Sequence, residues 1–430
     1  MYKTIELAYG RTQVALSLDP ERFDVTVLLP QNTQALEDPR GTFFEKAGDP
    51  IGADPMNELV LRKGGAPKKA VIVIADHTRP VPDRLLVPWI AESLGLDDEN
   101  ITILVGTGTH RGSTEVELER MLGRDNIDRF KIVNHGCMDV SNLVSVGTSA
   151  CGGACLLHRA YCEADIRIAT GFIEPHFFAG FSGGAKAVVP GIASLETILH
   201  LHRADIIAHP DTDWGIIDGN PQQALIREMA SLCAPDMIVN VTLNLQKEIT
   251  DIVIGDFVEA HNAGCERVRR EAFTPVSSKF PVVVTTNSGY PLDMNFYQTV
   301  KGMSAAARIV ADGGTIVTAS ECSQGLPCES DFERILSRDI SSPQLLAEII
   351  NRPETEYDQW EVQYLLQILD KCRVVLYSSL GPAQREMARV EHTGDIEKTL
   401  EDIREASGHS CLPVAILPMG PLTVPALSSS

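Results

Sequence analysis

The chain has 430 residues, 44% of them hydrophobic and 22% charged, with a formal net charge of −21. This is the make-up of a soluble globular protein with room for two or three cores. The negative charge excludes nucleic acid as a partner, since phosphate backbones select basic surfaces, but it leaves open a small anionic substrate in a local cationic pocket.

The opening MYKTIELAYGRTQVALSL alternates apolar and polar residues and reads as a first strand. It lacks the unbroken apolar core of a signal peptide, and no later stretch is long enough to span a bilayer. The expectation is a cytoplasmic protein with no membrane partner. The runs AVIVIADHTRP (70–80), NITILVGTGTHRG (100–112) and ADIRIATGFIEPH (164–176) follow, each apolar until it closes on polar residues. FPVVVTTNSGYP (280–291), GGTIVTASECSQG (313–325) and RVVLYSSLG (373–381) repeat the form, with a helix-rich segment over 339–372 before the last. Continuous apolar strands separated by helices predict parallel sheets covered on both faces. The charged, then turn-rich segment near 262–280 marks a boundary. The expected fold class is therefore α/β: two α/β domains with largely parallel sheets, 1–272 and 273–430, and the active site in the cleft between them. The last residues, about 15, are free in this scheme to pack back on the first domain.

Ligands of such sheets bind beyond the carboxyl ends of the strands. Asp76, His77, Thr78, Arg79, Thr107, Thr109, His110, Glu174 and His176 occupy those ends. His110 and His176 suit acid/base work near neutral pH. Asp76 can orient an imidazole, and the Arg79 fork can hold a carboxylate; a local Asp76–Arg79 ion pair is the alternative.

Cys151, Cys155 and Cys162, and later Cys322 and Cys328, lack the paired spacing of a structural zinc site and read as small, buried free thiols. In GFSGGAKAVVPGI, Lys186 sits among small apolar residues, where a free ammonium is costly to bury. The loop is glycine-rich like a phosphate cradle, but Ala187 stands where a Walker loop needs Ser or Thr. SLETILHLHRADII reads as a helix capped by Ser194. At about 100° per residue, His202 falls within roughly 20° of Leu195 and faces inward, while His200 points to solvent. In MNFYQTVKG, Tyr297, Gln298 and Lys301 share one helix face.

Taken together, DHTRP, GTGTHR, NHG, EPHFFAGFSGGAKAVVPGIASLETI and YQTVKG resemble the nickel-pincer lactate racemase family of 2-hydroxyacid racemases and epimerases. The resemblance runs from near the amino terminus past residue 320, and its most specific segment is GFSGGAKAVVPGI. It implies an isomerase that moves hydride reversibly from C2 of a 2-hydroxyacid to a nickel-pincer nucleotide, Ni(II) pyridinium-3,5-bisthiocarboxylic acid mononucleotide. It further implies His110 and His176 as acid/base catalysts, Lys186 as the covalent tether and His202 as the nickel ligand. Gly183 and Gly184 would leave room for the cofactor and offer N–H groups to its phosphate. Tyr297 and Trp360 (in YDQWEVQ) would line the cofactor pocket, Arg79, Lys301 and Gln298 would bind substrate, and Asp76 would orient a catalytic histidine. Cofactor and histidines fall to the first domain, substrate-binding residues to the second, and the cofactor's biosynthesis proteins are expected partners. Two other readings compete: a metal-dependent hydrolase, which leaves Lys186 unexplained, and a cofactor-free relative that binds a hydroxyacid or nucleotide.

Overall fold

The run AVIVIA forms the strand Ala70–Ala75, buried at nearly every position, inside a six-stranded sheet. The sheet order is Ile249–Gly255, Met237–Leu243, Ile166–Phe172, Ala70–Ala75, Ile101–Gly106, Lys131–Asn134. All neighbours are parallel except the first pair. Helices cover it, and Ile72, Ile74, Ile103 and Val105 pack with Phe43, Leu86 and Ile90 in one core. Side chains apolar on both faces explain why these strands read as unbroken runs rather than alternations. Because Ala70–Ala75 pairs with both Ile101–Gly106 and Ile166–Phe172, the polar segments after all three leave from one edge of the sheet.

The computed structural model describes residues 3–62, 68–327 and 331–428; Cys328 lies outside them. It separates into two units, Asn32–His202 with His209–Arg270, and Met1–Gln31 with Arg203–Ala208 and Glu271–Ser430. The second unit holds its own six-stranded parallel sheet, ordered Glu391–Thr393, Arg373–Tyr377, Val310–Ala319, Phe280–Thr286, Leu412–Leu417, Phe23–Val27. The helix-rich segment contains Ser342–Asn351 and Gln359–Lys371.

The change of unit at Arg270 falls in the helix Glu259–Ala272. The amino terminus differs from the expected 1–272 grouping. Its alternating segment is a hairpin, Lys3–Tyr9 against Thr12–Leu18, because Gly10 (φ +53°) turns the chain. Phe23–Val27 then hydrogen-bonds along Leu412–Leu417, so the first 31 residues group with the carboxy-terminal unit. At the other end, Val424–Leu427 pairs with Phe273–Val276 in that same unit, not with the first domain. Among the described residues, no helix is long and apolar enough to cross a membrane.

Candidate active site

The segment after Ala70–Ala75 places Asp76 almost wholly buried, and its two oxygens have separate duties. Oδ2 faces His110 Nδ1 at 2.7 Å. Oδ1 accepts the Thr78 hydroxyl at 2.6 Å and the Thr78 N–H at 3.1 Å. Burial alone would raise the Asp76 pKa, but the hydrogen bonds from His110 and Thr78 and the charges of His110 and Arg79 outweigh it and bring it down to about 2. An ionised carboxylate only accepts, so a neutral His110 carries its proton on Nδ1 and presents the lone pair at Nε2. Arg79 is exposed and reaches Thr78 Oγ1 at 3.1 Å. It acts on Asp76 through its charge, which sets aside the closed local ion pair. His77 lies 3.4 Å from Glu117.

His176 ends the short strand Pro175–His176, which pairs with Gly180–Phe181. Its Nδ1 accepts the N–H of Phe178 at 3.1 Å and of Ala179 at 3.3 Å. Backbone N–H groups only donate, so neutral His176 carries its proton on Nε2. The two histidines therefore hold opposite tautomers. Phe177 and Phe178 are buried, their rings 3.9 Å apart, and Trp214 lies 5.9 Å from Phe177.

Lys186 lies in the single turn Gly184–Ala187, with Gly184 and Ala185 buried. Gly183 and Gly184 adopt φ of +80° and +56°. A Cβ at Gly183 would stand 2.7 Å from Asn240 Oδ1, and one at Gly184 2.6 Å from the His261 ring. The space these glycines leave is thus filled by the protein's own Asn240 and His261. The Gly184 N–H donates to Asn240 Oδ1 at 2.7 Å rather than being offered to a phosphate. Among the described residues, Asn240 Nδ2, also buried, has no hydrogen-bond partner. Arg227 Nη2 donates to His261 Nδ1 at 3.2 Å, and His261 Nε2 donates to the Ser182 carbonyl at 2.9 Å. Burial, with the Arg227 and Lys186 charges, pushes the His261 pKa down to about 4 despite the Ser182 bond.

Ser194 caps the helix Leu195–Leu201 as expected, accepting the Thr197 N–H at 3.1 Å. His202 is its C-cap, one residue past the regular turn. Nδ1 of His202 donates to the Ile198 carbonyl at 2.8 Å, leaving the lone pair on Nε2. Burial pushes its pKa down to about 4 and the Lys186 charge adds to this, against the Ile198 bond. His200 meets Cys151 Sγ at 3.2 Å instead of pointing only to solvent.

In the other unit, Asn295 caps the helix Phe296–Ala307, which carries Tyr297, Gln298 and Lys301. Lys301 Nζ donates to Gln298 Oε1 at 2.6 Å, and Trp360 Nε1 donates to the Tyr297 hydroxyl at 3.1 Å. Burial raises the Tyr297 pKa well above its ordinary value. Glu361, next to Trp360, is buried, and among the described residues both its oxygens lack a hydrogen-bond partner. Burial lifts it to about 8, with Asp358 adding and Lys301 opposing.

The expected site residues thus form two sets, one in each unit. Asn240, Arg227, His261 and Trp214 escaped the sequence reading because they lie in no shared motif, and Glu361 because its burial beside Trp360 is not visible in YDQWEVQ. Asn240 alone carries a signal, a polar residue inside the apolar strand MIVNVTL.

Residues 9–215 match the lactate racemase N-terminal domain family, and residues 276–423 match the lactate racemase C-terminal domain family. A lactate racemase from Thermoanaerobacterium thermosaccharolyticum is 35% identical over 377 residues, covering 86% of this chain and 87% of that one. One from Lactiplantibacillus plantarum is 35% identical over 407 residues, covering 93% and 94%. The structure of the lactate racemase apoprotein from T. thermosaccharolyticum superposes with a TM-score of 0.90 at 31% identity, covering 99% of this chain and all of that one.

Proposed function

The chain belongs to the lactate racemase family, and from that premise we propose that it is an isomerase interconverting the enantiomers or epimers of a small 2-hydroxyacid with a nickel-pincer nucleotide. The observation that carries the reading is the Asp76–His110 pair at the carboxyl edge of the sheet. A buried, ionised carboxylate there fixes one tautomer and stabilises the imidazolium that forms when Nε2 takes a proton.

The residues present fit the cofactor. His202 offers a neutral imidazole whose Nδ1–H is anchored on a carbonyl, the usual way a ligating histidine is oriented. Among the described residues no three His, Cys, Asp or Glu side chains gather as a metal site, which suits a metal whose remaining ligands arrive with the cofactor. Lys186 lies near enough to buried His261 and half-buried His202 for its charge to act on both, so converting its amine to a neutral thioamide removes an unfavourable charge. The unpartnered Nδ2 of Asn240, beside the Gly183–Gly184 turn, is a buried donor suited to an acceptor on the tethered arm. When bound, the cofactor supplies a hydride acceptor and donor for C2 of the substrate.

This chain's residues do the rest. Arg79 offers its guanidinium fork to the substrate carboxylate, and in the other unit Gln298 fixes the Lys301 ammonium, a second cation suited to a carboxylate. His110 takes the hydroxyl proton at Nε2 while Asp76 stabilises the resulting cation, and His176 presents its Nε2–H to the substrate oxygen. Tyr297 and Trp360 fix one another and offer aromatic surface to the cofactor.

The test is intact mass and peptide mapping of protein co-produced with the cofactor's biosynthesis proteins. An adduct on the Lys186 peptide, absent in Lys186→Ala, is expected. An unmodified mass with those proteins shown to be active would refute the tether.

A further inference from the structure

Three cysteines outside the site gather where two neighbouring strands begin. Cys162 and Cys233 each stand four residues ahead of a strand, 162 before Ile166 and 233 before Met237. Those strands are parallel partners, with Met237 opposite Ile168. Asp236 N–H donates to the Arg167 carbonyl at 2.8 Å, and the Arg167 N–H donates to Asp236 Oδ2 at 2.8 Å. The Tyr161 hydroxyl reaches the Cys233 carbonyl at 3.1 Å, so the two approach loops are fixed against each other. Within this frame Arg167 Nη1 donates to Cys233 Sγ at 3.5 Å, and the Cys162 and Cys233 thiols lie close enough for each to shift the other's acidity. Both cysteines are partly exposed, whereas neighbouring Cys155 is buried and donates to the Met229 carbonyl at 3.7 Å.

We propose that Cys162 and Cys233 form a peroxide-oxidisable dithiol, with Cys233 the attacking sulfur and Cys162 the resolving one. The arrangement meets the requirements of a reactive cysteine: a cation at the sulfur, a neighbouring donor and solvent access. The neighbouring Cys162 thiol and the Arg167 charge hold the Cys233 thiol below its ordinary pKa against burial and the Asp236 charge, while Cys233 and burial keep the Cys162 thiol protonated. The Cys233 thiolate attacks hydrogen peroxide. The O–O bond breaks, a sulfenic acid forms, and the departing hydroxide leaves as water after taking a proton. The Cys162 sulfur then attacks Cys233, the S–O bond breaks, and the second hydroxide leaves as water with the Cys162 proton. Two thiols have lost two electrons and two hydrogens, and peroxide has become two waters. The resulting disulfide ties together the starts of adjacent strands and closes a long loop, which stabilises the unit.

The experiment treats the full-length protein with hydrogen peroxide, blocks remaining thiols with N-ethylmaleimide and maps peptides without reduction. The expected product is a Cys162–Cys233 cross-link, two hydrogens lighter, with a raised thermal midpoint that dithiothreitol reverses. In Cys162→Ser, dimedone should label Cys233. In the untreated protein at neutral pH, iodoacetamide should label Cys233 about tenfold faster than Cys162. A cross-link of Cys233 to Cys155, a missing dimedone adduct in Cys162→Ser, or a Cys233 that stays reduced while exposed Cys151 oxidises would each overturn the proposal.

Discussion

Replacing Asp76 by Asn removes one charge and keeps the shape. Two consequences can be sized. The Asp76 pKa is about 2 in the folded chain against an ordinary 3.8, and each tenfold change in acidity corresponds to about 1.4 kcal/mol. The ionised carboxylate therefore contributes about 2 kcal/mol to stability. It is buried, so solvent screens little of this. The sign follows from the depressed value. The unfolded chain binds the proton first, so the contribution is complete above pH 3.8 and is lost as pH falls toward 2. Urea denaturation of the apoprotein at pH 7 should show Asp76→Asn less stable by about 2 kcal/mol. The gap should shrink at the lowest pH at which both proteins remain folded. The second consequence is catalytic. The amide that replaces the carboxylate can donate to His110 Nδ1, which leaves Nε2 protonated and unable to accept. Turnover of the loaded enzyme, followed by chiral chromatography, should fall by about 10²–10⁴, with the Lys186 adduct retained. Wild-type turnover, or a stability gap that does not change with pH, would refute the pairing as drawn.

Asp83 is the opposite case: burial lifts its pKa to about 7, and the Thr170 hydroxyl at 2.8 Å opposes the rise. The folded state keeps a proton that the unfolded chain releases above pH 3.8, so Asp83 costs stability as pH rises toward and past 7. Asp83→Asn should therefore stabilise by on the order of a few kcal/mol at pH 8 and by little at pH 4; equal effects at both would contradict burial as the cause. Gly184→Ala forces a Cβ to 2.6 Å from the His261 ring at φ +56°, and should cost about 1–3 kcal/mol by urea midpoint and reduce loading of Lys186. In a Gly184→Ala/His261→Ala double variant the steric part should return and the backbone part should not; full recovery would mean that strain at φ is absent.

Much of this was legible in the sequence because the information is local. Apolar runs closing on DHTRP, GTGTH and EPH name both the strands and the sheet edge that carries Asp76, His110 and His176, and Ser194 announces its own helix. Gly10 was the missed signal at the amino terminus: alternation persists through a hairpin, and only the turn residue separates one strand from two. Where Phe23–Val27 pairs was not legible, since any β-branched edge strand suits either sheet. The glycines of the Lys186 turn show the same limit. Their spacing marks close approach, but whether a phosphate or a neighbouring side chain approaches depends on Asn240 and His261, which lie far along the chain.

The opposite tautomers of His110 and His176 constrain the reaction further. In the proposed mechanism His110 would accept a proton at Nε2, with Asp76 ready to stabilise the cation. For His176 to do the same, its proton must first move to Nδ1. That breaks the bonds from Phe178 and Ala179, whose buried N–H groups would each lose about 1–3 kcal/mol if left unpaired. The two histidines are therefore unequal as bases while that turn keeps its shape. The inequality cannot appear in the ratio of kcat/KM for the two directions. An equilibrium constant of unity between enantiomers forces those values to match in every variant. It must appear in what each side chain's replacement costs. Gln can replace an imidazole N–H donor but not an imidazole base. His176→Gln should lose about tenfold in turnover, the value of one hydrogen bond, while His110→Gln should lose about 10²–10⁴. Both should keep the cofactor on Lys186 by mass. Equal losses would mean that His176 exchanges its tautomer during turnover, and that the Phe178–Ala179 turn opens to allow it.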